Sequence, residues 1–352
     1  MKTFFTKLHY EKTPNFFESL IIKGLSIFSV PYGIVTSVRN FLYDKNILKA
    51  YNSGVFTVSV GNLTTGGVGK TPFVKELVRF YLNKGFRPAV ISRGYGGSLN
   101  SKDVNVISDG TKIFYEASEA GDEPFWLAQN CPGAYVLTCA SRKKSAKFAK
   151  EAGCDVIIAD DAFQHRALHR DIDLVLCDGL NGFGNEKLLP AGPLRESFSG
   201  ISRADKIVVT NKSASNEYAL KYCETLEKRC KKPIFLCQMT PERYMNLTTG
   251  EPVDPENKRA IAFCAIGQPE NFYDFVRGDF LFTGKVSFPD HHEYTEEDVN
   301  YLIKAADNNY ACLVTTEKDA VKISRLAKNT GNVEIYVMKL SAVADIEEIL
   351  RK

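Results

Sequence analysis

The residue types with the clearest chemistry lie together at 62–71, where the sequence reads Asn-Leu-Thr-Thr-Gly-Gly-Val-Gly-Lys-Thr. An apolar, alternating stretch precedes this segment at 55–60, and a helix-like stretch follows it at 73–82. A strand that turns through glycines into a helix is typical of a phosphate-binding loop, because backbone N–H groups converge there on phosphate oxygens. In such a loop Lys70 reaches the β- and γ-phosphates, and the Thr71 hydroxyl can hold Mg²⁺. The segment therefore predicts a site for a nucleoside triphosphate.

The predicted loop departs from the usual pattern at its first position, where Thr64 replaces a glycine. The residues expected around the phosphates are Thr64, Thr65, Gly66, Gly67, Val68, Gly69, Lys70 and Thr71. The alternative is a glycine-rich strand-to-helix turn that binds no ligand. Because switch ATPases, GTPases and small-molecule kinases share such a loop, the loop by itself does not identify a reaction.

A second polar group follows the apolar stretch at 156–159, which ends in Asp160 and Asp161. The carboxyl ends of parallel strands share one edge of a sheet, so we expect these carboxylates beside the phosphate loop. One of them can complete the Mg²⁺ shell. The chain continues as Ala-Phe-Gln-His-Arg, which adds a histidine and an arginine to the same short loop. The alternative is an aspartate that forms a turn or caps a helix.

Three further segments each have a simple structural explanation. Gly-Asp-Glu-Pro at 121–124 suits a helix start, although Asp122 could also accept the proton of a nucleophilic hydroxyl. Phe-Pro-Asp-His-His at 288–292 lacks a further ligand set for zinc, so a histidine paired with a carboxylate is the better interpretation. The proline-rich loop at 188–197 ends in an Arg-Glu pair and a serine, and a structural turn explains its composition.

The composition is that of an ordinary folded protein, with 352 residues, 44% hydrophobic and 25% charged, which is long enough for two domains. The net charge of +3 gives no case for a nucleic-acid partner, since such proteins more often carry a strongly basic domain. Nine cysteines without a C-x-x-C pair argue against disulfides and zinc and favour a reducing cytosol. The polar N-terminus does not predict a cleavable signal peptide.

An apolar segment at 21–43 is bracketed by Lys23, Arg39 and Lys45. Only fifteen uncharged residues separate Lys23 from Arg39, fewer than the roughly 20 apolar residues of a bilayer span. A basic-flanked apolar helix, kinked near Pro31, suits a membrane interface. A helix buried in the protein core is an equally good interpretation at this point.

From residue 55 onwards, short β-rich runs alternate with helical stretches, which predicts a parallel sheet covered by helices on both faces. Further apolar runs at 234–238, 261–265, 311–315 and 333–337 predict a smaller α/β domain. We therefore expect an α/β fold of the P-loop NTPase type in three parts. These are an amphipathic, membrane-associated region at 1–48, a P-loop domain at 49–220, and a smaller α/β domain at 221–352 that closes the site.

Two classes of nucleotide-binding protein fit the sequence poorly. Partitioning-type ATPases place a second lysine just before the paired glycines, where this chain has Thr65. GTPases read guanine with the pattern [NT]-K-x-D, but here Asn211 and Lys212 are followed by serine and then Ala214. Neither class is supported.

Seven motifs in matching order resemble the tetraacyldisaccharide 4′-kinase family of lipid A biosynthesis, and the resemblance spans nearly the whole chain. They lie at 60–72, 92–97, 121–124, 160–165, 188–197, 288–292 and 316–322. Thr64 is typical of that family's loop, so it no longer counts against nucleotide binding. Ala162 replaces an expected glycine, a change that could alter the loop's backbone without removing a reactive group.

The resemblance implies an enzyme that moves the γ-phosphate of ATP onto the 4′-hydroxyl of a lipid A disaccharide precursor, with Mg²⁺. It makes 49–220 a kinase domain and Asp122 with His291 the proton-accepting pair. Lys70 would act on the phosphates, and Asp161 or its neighbour at the metal or nucleophile site. The implied metal ligands are Thr71, Asp160, Asp161 and Glu123. Arg142 would clamp a phosphate, because a guanidinium matches phosphate geometry bidentately.

The resemblance also implies a location, the cytoplasmic face of the inner membrane of a Gram-negative bacterium, with the enzyme peripheral or anchored by its N-terminal helix. Its partners would be a lipid disaccharide and the membrane surface, with no nucleic acid and no obligate protein partner. The main alternative is a nucleotide-dependent assembly or chaperone switch whose N-terminal helix docks a protein. A lipid-binding scaffold without catalysis would have little use for Lys70.

Overall fold

The computed structural model describes residues 7–11, 13–213, 215–267, 269–289, 292–324, 326–327 and 330–351. The chain forms two compact units. The first comprises Met1–Asn211, Glu217–Gln238 and Val343–Lys352, and the second comprises Lys212–Asn216 and Met239–Ala342. The three-part functional division predicted from the sequence stays a prediction, and the first unit extends past its boundary at residue 220.

The first long helix of the first unit is α1 (Phe16–Asp44), which continues through Pro31. A capping box fixes its start, because the Asn15 side chain accepts a hydrogen bond from the Glu18 N–H at 2.9 Å and the Glu18 carboxylate accepts one from the Asn15 N–H at 2.8 Å. The apolar run at 21–43 therefore belongs to a helix that is longer than the uncharged stretch between Lys23 and Arg39.

Strands and helices then alternate along the first unit, as the sequence predicts. They are β1 (Phe56–Gly61), α2 (Lys70–Asn83), β2 (Pro88–Ser92), β3 (Asn105–Asp109), α3 (Ala117–Ala120), α4 (Asp122–Asn130), β4 (Tyr135–Thr138), α5 (Arg142–Glu151), β5 (Val156–Asp160), β6 (Ile172–Asp178), a 3₁₀ helix (Phe198–Arg203), β7 (Lys206–Asn211), α6 (Glu217–Cys230) and the start of β8 (Ile234–Asn246).

The sheet of the first unit has the strand order β8-β7-β6-β1-β5-β2-β4-β3. Its pairs are parallel except β3 with β4, which confirms the predicted class of a mainly parallel α/β fold. Central β1 lies between β5 and β6 and is buried along most of its length, as expected for a strand covered on both faces. In this register Val60 pairs with Asp160, so the phosphate loop and the two aspartates leave the sheet at the same edge.

The second unit contains the remaining part of β8, followed by smaller elements. These are β9 (Pro252–Val253), β10 (Arg259–Cys264), α7 (Pro269–Asp279), β11 (Leu281–Ser287), α8 (Glu296–Asn308), β12 (Cys312–Thr316), α9 (Glu317–Ile323) and β13 (Ile335–Val343). Strands β11, β10, β12 and β13 pair in that order and are parallel, which is the second α/β pattern that the sequence predicts.

The chain returns to the first unit with α10 (Ile346–Leu350). Two contacts hold this helix there. Lys84, at the end of α2, forms an ion pair with Glu347 at 3.2 Å, and the Lys206 ammonium donates to the Glu348 carbonyl at 2.8 Å. The first unit is thus built from chain segments that lie on both sides of the second unit in sequence.

Candidate active site

The predicted phosphate loop joins β1 to α2, and glycine geometry shapes its end. Gly69 has a φ of 82°, a conformation that favours glycine, and Lys70 is the first residue of α2. No described side chain caps this helix start, so its first N–H groups and the positive end of the helix dipole are left for a ligand. Such a terminus suits an anionic phosphate group.

Neighbouring segments support the loop from behind. Thr64 is buried, and its carbonyl accepts a hydrogen bond from the Asn62 amide at 2.7 Å. The Thr65 N–H donates to the Pro193 carbonyl at 2.8 Å, and the Val68 carbonyl accepts from a threonine of β7 at 2.8 Å. Gly66 and Gly67 are exposed, while Thr71 is half-buried in the first turn of α2. The loop is therefore anchored at both ends, with its glycines facing outward.

Lys70 lies between two acceptors at the edge of the sheet. Its ammonium donates to Oδ1 of Asn62 at 3.0 Å and is 3.2 Å from Oδ1 of Asp161. Asp161 also accepts two hydrogen bonds from Arg195, at 2.9 and 2.8 Å. Burial would raise the pKa of Asp161, but the charges of Lys70 and Arg195 outweigh it and hold this pKa below its usual value. Asp161 is therefore an ionised partner for both cations.

Asp160 differs from its neighbour. It is buried, and no described residue donates a hydrogen bond to its Oδ1 atom. Burial, together with the negative charge of Glu123, raises the pKa of Asp160 to about 7. A buried carboxylate oxygen without a donor is costly, so this atom is suited to a cation that arrives with the ligand.

Arg142 lies at the N-terminus of α5 and is almost completely buried. Its guanidinium donates to the carbonyl oxygens of Cys139 at 3.1 Å and Asp160 at 3.0 Å. Burial lowers the pKa of Arg142 to about 10. These bonds fasten the end of β5, a structural role that the sequence does not indicate. The predicted contact of Arg142 with a phosphate stays a prediction.

Further positive charge surrounds His165 in the loop after the two aspartates. Burial lowers the pKa of His165 to about 4, and Arg142 and Arg93 add to this effect. The imidazole is therefore neutral at physiological pH. These guanidinium groups add positive charge beside the carboxylates at this edge of the sheet, which favours an anionic ligand.

Asp122 and Glu123 occupy the first turn of α4, and both side chains are exposed. The residue before them, Gly121, has a φ of 92° and takes the cap position, and the helix begins at Asp122, which confirms the predicted helix start. Within the described part of the chain, the Asp122 carboxylate has no hydrogen bond or ion pair, so it can meet a ligand. Its proposed role stays a prediction.

Two residues of the predicted Asp-His-His segment, Asp290 and His291, lie outside the described residues. The neighbouring His292 pairs with Asp298 at 2.9 Å and stacks on Phe288, all within the second unit. The sequence favours a histidine paired with a carboxylate in this segment. The structure shows such a pair at His292, whereas the predicted site histidine is His291. The described residues contain no group of three or more His, Cys, Asp or Glu side chains that could hold a metal ion by themselves.

Two polar residues that support the site have no functional signal in the sequence on their own. Arg195 and Glu196 lie in the loop interpreted as a structural turn. Arg195 binds Asp161, and Glu196 accepts a hydrogen bond at 3.0 Å from Gln164, in the loop after the aspartates. The Arg-Glu pair in the sequence was the available signal. The position of this pair in the folded structure could not be inferred from the sequence.

Helix α1 is inverted relative to an ordinary surface helix. Ile22, Ser29 and Thr36 are among its buried residues, whereas its large apolar residues face outward. Those more than half exposed are Phe16, Phe17, Leu20, Ile27, Phe28, Val30, Ile34, Val35, Val38 and Phe41. By length and composition alone α1 could also cross a bilayer. The interpretation of this segment as a buried core helix is therefore wrong.

The parallel sheet, the glycine-rich loop and the paired aspartates define a P-loop nucleotide-binding enzyme. A sequence profile described as "Tetraacyldisaccharide-1-P 4′-kinase" matches residues 21–352. The chain belongs to the tetraacyldisaccharide 4′-kinase family. The predicted family and the predicted kinase class are thereby confirmed.

Individual relatives agree with this assignment. The tetraacyldisaccharide 4′-kinase of Desulfotalea psychrophila is 38% identical over 304 residues, covering 84% of this chain and 86% of the relative. The enzyme of the same name from Chlorobium luteolum is 38% identical over 300 residues, with 83% and 84% covered. A crystal structure of LpxK from Aquifex aeolicus in complex with ATP is 31% identical and superposes with a TM-score of 0.73, over 94% of this chain and 97% of that one.

Proposed function

We propose that this enzyme transfers the γ-phosphoryl group of ATP to the 4′-hydroxyl of a tetraacyldisaccharide 1-phosphate in lipid A biosynthesis. The observation that carries the proposal is the presence, in one compact unit, of a phosphate loop and an inverted apolar helix. A nucleotide switch could use such a helix to dock a protein, but the match to the tetraacyldisaccharide 4′-kinase family favours the enzyme. An enzyme whose acceptor keeps its acyl chains in a bilayer also needs a lipid-facing surface beside the loop.

The phosphates of ATP would lie on the backbone N–H groups of the loop and at the N-terminus of α2. The loop residues are Thr64, Thr65, Gly66, Gly67, Val68 and Gly69, with Lys70 and Thr71 at the helix start. The Lys70 ammonium would stabilise charge between the β- and γ-phosphates. Arg195 would hold Asp161 in place, and Asp161 together with Asn62 would fix the position of the Lys70 ammonium.

Asp122 is the proposed proton acceptor for the 4′-hydroxyl, with His291 as its predicted partner. The exposed Asp122 carboxylate, without a partner among the described residues, is available to take up a proton from a bound hydroxyl. Oxygen attack on the γ-phosphorus then breaks the bond to the β-phosphate oxygen, and the proton passes to the carboxylate. Positioning and charge stabilisation supply most of the rate enhancement in such reactions.

The donor set at the sheet edge fits Mg²⁺, which prefers one or two carboxylates together with phosphate oxygens. Asp160 offers a buried oxygen to which no described residue donates, and the hydroxyl of Thr71 and the carboxylates of Asp161 and Glu123 complete the proposed ligand set. Both oxygens of Asp161 already accept from Arg195, so we favour Asp160 as the principal ligand. When bound, Mg²⁺ would neutralise charge on the β- and γ-phosphate oxygens.

We place the enzyme at the cytoplasmic face of the bacterial inner membrane, held there through α1. Lys23, Arg39, Lys45 and Lys49 flank the apolar surface as cations would near an anionic leaflet, at about 1 kcal/mol each. The lipid disaccharide and the membrane surface are the proposed partners.

An acceptor assay tests the proposed function directly. Purified protein in mixed micelles would receive labelled ATP, Mg²⁺ and a tetraacyldisaccharide 1-phosphate. We expect label on the lipid at the 4′ position, and little ATP hydrolysis without the acceptor. Equal ATP turnover with and without the lipid, accompanied by a change in oligomeric state, would instead support the nucleotide switch.

Replacing Asp122 with asparagine should lower turnover by about 10²-fold, because the amide keeps the shape of the carboxylate but cannot take up the proton. ATP affinity should change little. Steady-state kinetics with the lipid acceptor measure both quantities. Glu151→Gln, at an exposed position on α5, is the matched control and should behave as the wild type. An Asp122→Asn enzyme with wild-type turnover would remove Asp122 from the reaction.

Replacing Asp160 with asparagine should have opposite effects on stability and activity. The folded protein raises the pKa of Asp160 to about 7, so burying its charge costs stability increasingly as pH rises from about 4 to 7. Asparagine removes that cost, and the thermal midpoint at pH 8 should stay equal or rise. Turnover should fall by about 10²-fold and the Mg²⁺ requirement should increase, since a metal ligand is lost. A lower midpoint with an unchanged Mg²⁺ titration would contradict the assignment.

A further inference from the structure

Glu196 is a buried carboxylate that connects α1 to the site. Its side chain has 0% exposure and accepts hydrogen bonds from three residues. Arg203 donates at 2.9 and 2.8 Å, Gln164 at 3.0 Å, and the side-chain amide of Asn40, on α1, at 2.7 Å. A buried carboxylate depends on its donors, so the loss of one of them changes the others.

The connection continues from Glu196 to the phosphate loop. The Gln164 amide that donates to Glu196 also donates to the Asn62 carbonyl at 3.0 Å. Asn62 is fully buried at the start of the loop, and its side-chain oxygen accepts from the Lys70 ammonium at 3.0 Å. A continuous chain of hydrogen bonds therefore links Asn40 to Lys70 through Glu196, Gln164 and Asn62.

A second connection leaves the same face of α1. The Tyr32 hydroxyl donates to the Arg195 carbonyl at 2.6 Å, and the Arg195 side chain holds Asp161, the other acceptor of Lys70. Asn40 is two helical turns from Tyr32, so both residues face the protein while the apolar side of α1 faces outward. The two acceptors of the Lys70 ammonium are thus each connected to the inverted helix.

We propose that Asn40 is a positioning residue for the phosphate loop, and that its hydrogen bond to Glu196 and the binding of ATP at Lys70 stabilise each other. Asn40 positions the Glu196 carboxylate, which positions the Gln164 amide. Gln164 in turn holds the main chain of Asn62, the residue whose side-chain oxygen accepts from Lys70. The proposal rests on the proposed function for the reaction that it serves, but it is tested on ATP binding alone.

The test compares full-length variants in micelles without a lipid acceptor, with binding of a fluorescent ATP analogue as the readout. Asn40→Ala removes one donor and should weaken binding by about tenfold, within the range typical of coupled sites. Asn40→Asp places a second carboxylate against Glu196 and should weaken it further. Ser29→Ala is the matched control, because Ser29 anchors α1 to the Leu188 carbonyl at 2.9 Å without joining this chain of bonds, and it should bind ATP within about twofold of the wild type.

A double-mutant cycle with Gln164→Ala separates positioning from simple loosening of the helix. If the residues act in one chain, the Asn40→Ala and Gln164→Ala double variant should bind ATP no worse than the weaker single variant. The proposal would be overturned if the two losses of ATP affinity multiplied in the double variant. Equal losses of ATP affinity in the Ser29 and Asn40 variants would also overturn it. If the Asn40 variants fail to fold and show no thermal transition, the ATP affinity of Gln164→Ala is compared with that of Ser29→Ala instead. A protein that fails the acceptor assay but shows this pattern would refute the proposed function and keep the positioning role.

Discussion

Replacing Lys70 with alanine should leave a folded protein with almost no phosphoryl transfer. The ammonium neutralises charge that builds up between the β- and γ-phosphates in the transition state, and losing such a contact costs about 10³-fold or more in turnover. The fold should tolerate the change, because Asp161 keeps both bonds to Arg195 and Lys70 is only partly buried. Single-turnover kinetics and a thermal melt measure the two effects.

Lys84→Ala is the matched control for this experiment. Lys84 follows the same helix, is exposed, and pairs with Glu347 on the surface, so its loss should change turnover less than about twofold. A folded Lys70→Ala enzyme with near wild-type turnover would exclude the kinase interpretation of the loop.

Polar substitutions on the outer face of α1 should abolish activity on the lipid acceptor without unfolding the protein. Ile27, Phe28, Ile34 and Val35 are 71%, 66%, 58% and 67% exposed, so serine at all four removes little packed area. In a membrane interface each side chain contributes about 1.5–2 kcal/mol, and their combined loss should reduce acceptor turnover on liposomes by about 10³-fold or more. Basal ATP hydrolysis should persist, because the loop is unchanged.

Ile22→Ser provides a control with the opposite expectation. Ile22 is buried on the same helix against Leu8 and Ala191, so its loss should lower the thermal midpoint. Liposome flotation, acceptor turnover and the melt together distinguish the two faces. A fall in midpoint for the fourfold variant, with unchanged liposome binding, would show that the outer face packs against protein.

The phosphate loop and the aspartates beside it could be predicted because both depend on local sequence. Glycines before Lys-Thr fix the loop, and an apolar run before Asp160 fixes a buried strand whose parallel pairing brings its end to the loop. The α/β class follows from the same alternation of strands and helices. These are patterns of a few neighbouring residues.

The supporting residues could not be predicted, because their roles come from tertiary contacts. Nothing local distinguishes Arg195 and Glu196 from an ordinary charged pair after a proline-rich turn, yet they hold Asp161 and Gln164. Arg142 looks like a surface cation in a lysine-rich run, whereas its burial under two strand ends depends on the assembled sheet. For α1, periodicity shows a helix with an apolar side but cannot show which side faces the protein.

The order of synthesis gives the return of the chain to the first unit a further meaning. Helix α1 leaves the ribosome early, whereas the first unit still lacks residues 343–352 until the whole second unit has been made. At roughly 5–20 residues per second, the ribosome needs tens of seconds to cover that distance. An outward-facing apolar helix is therefore made long before the last segment of the nucleotide-binding unit, and under the proposed membrane location the nascent chain would have that time to reach the bilayer.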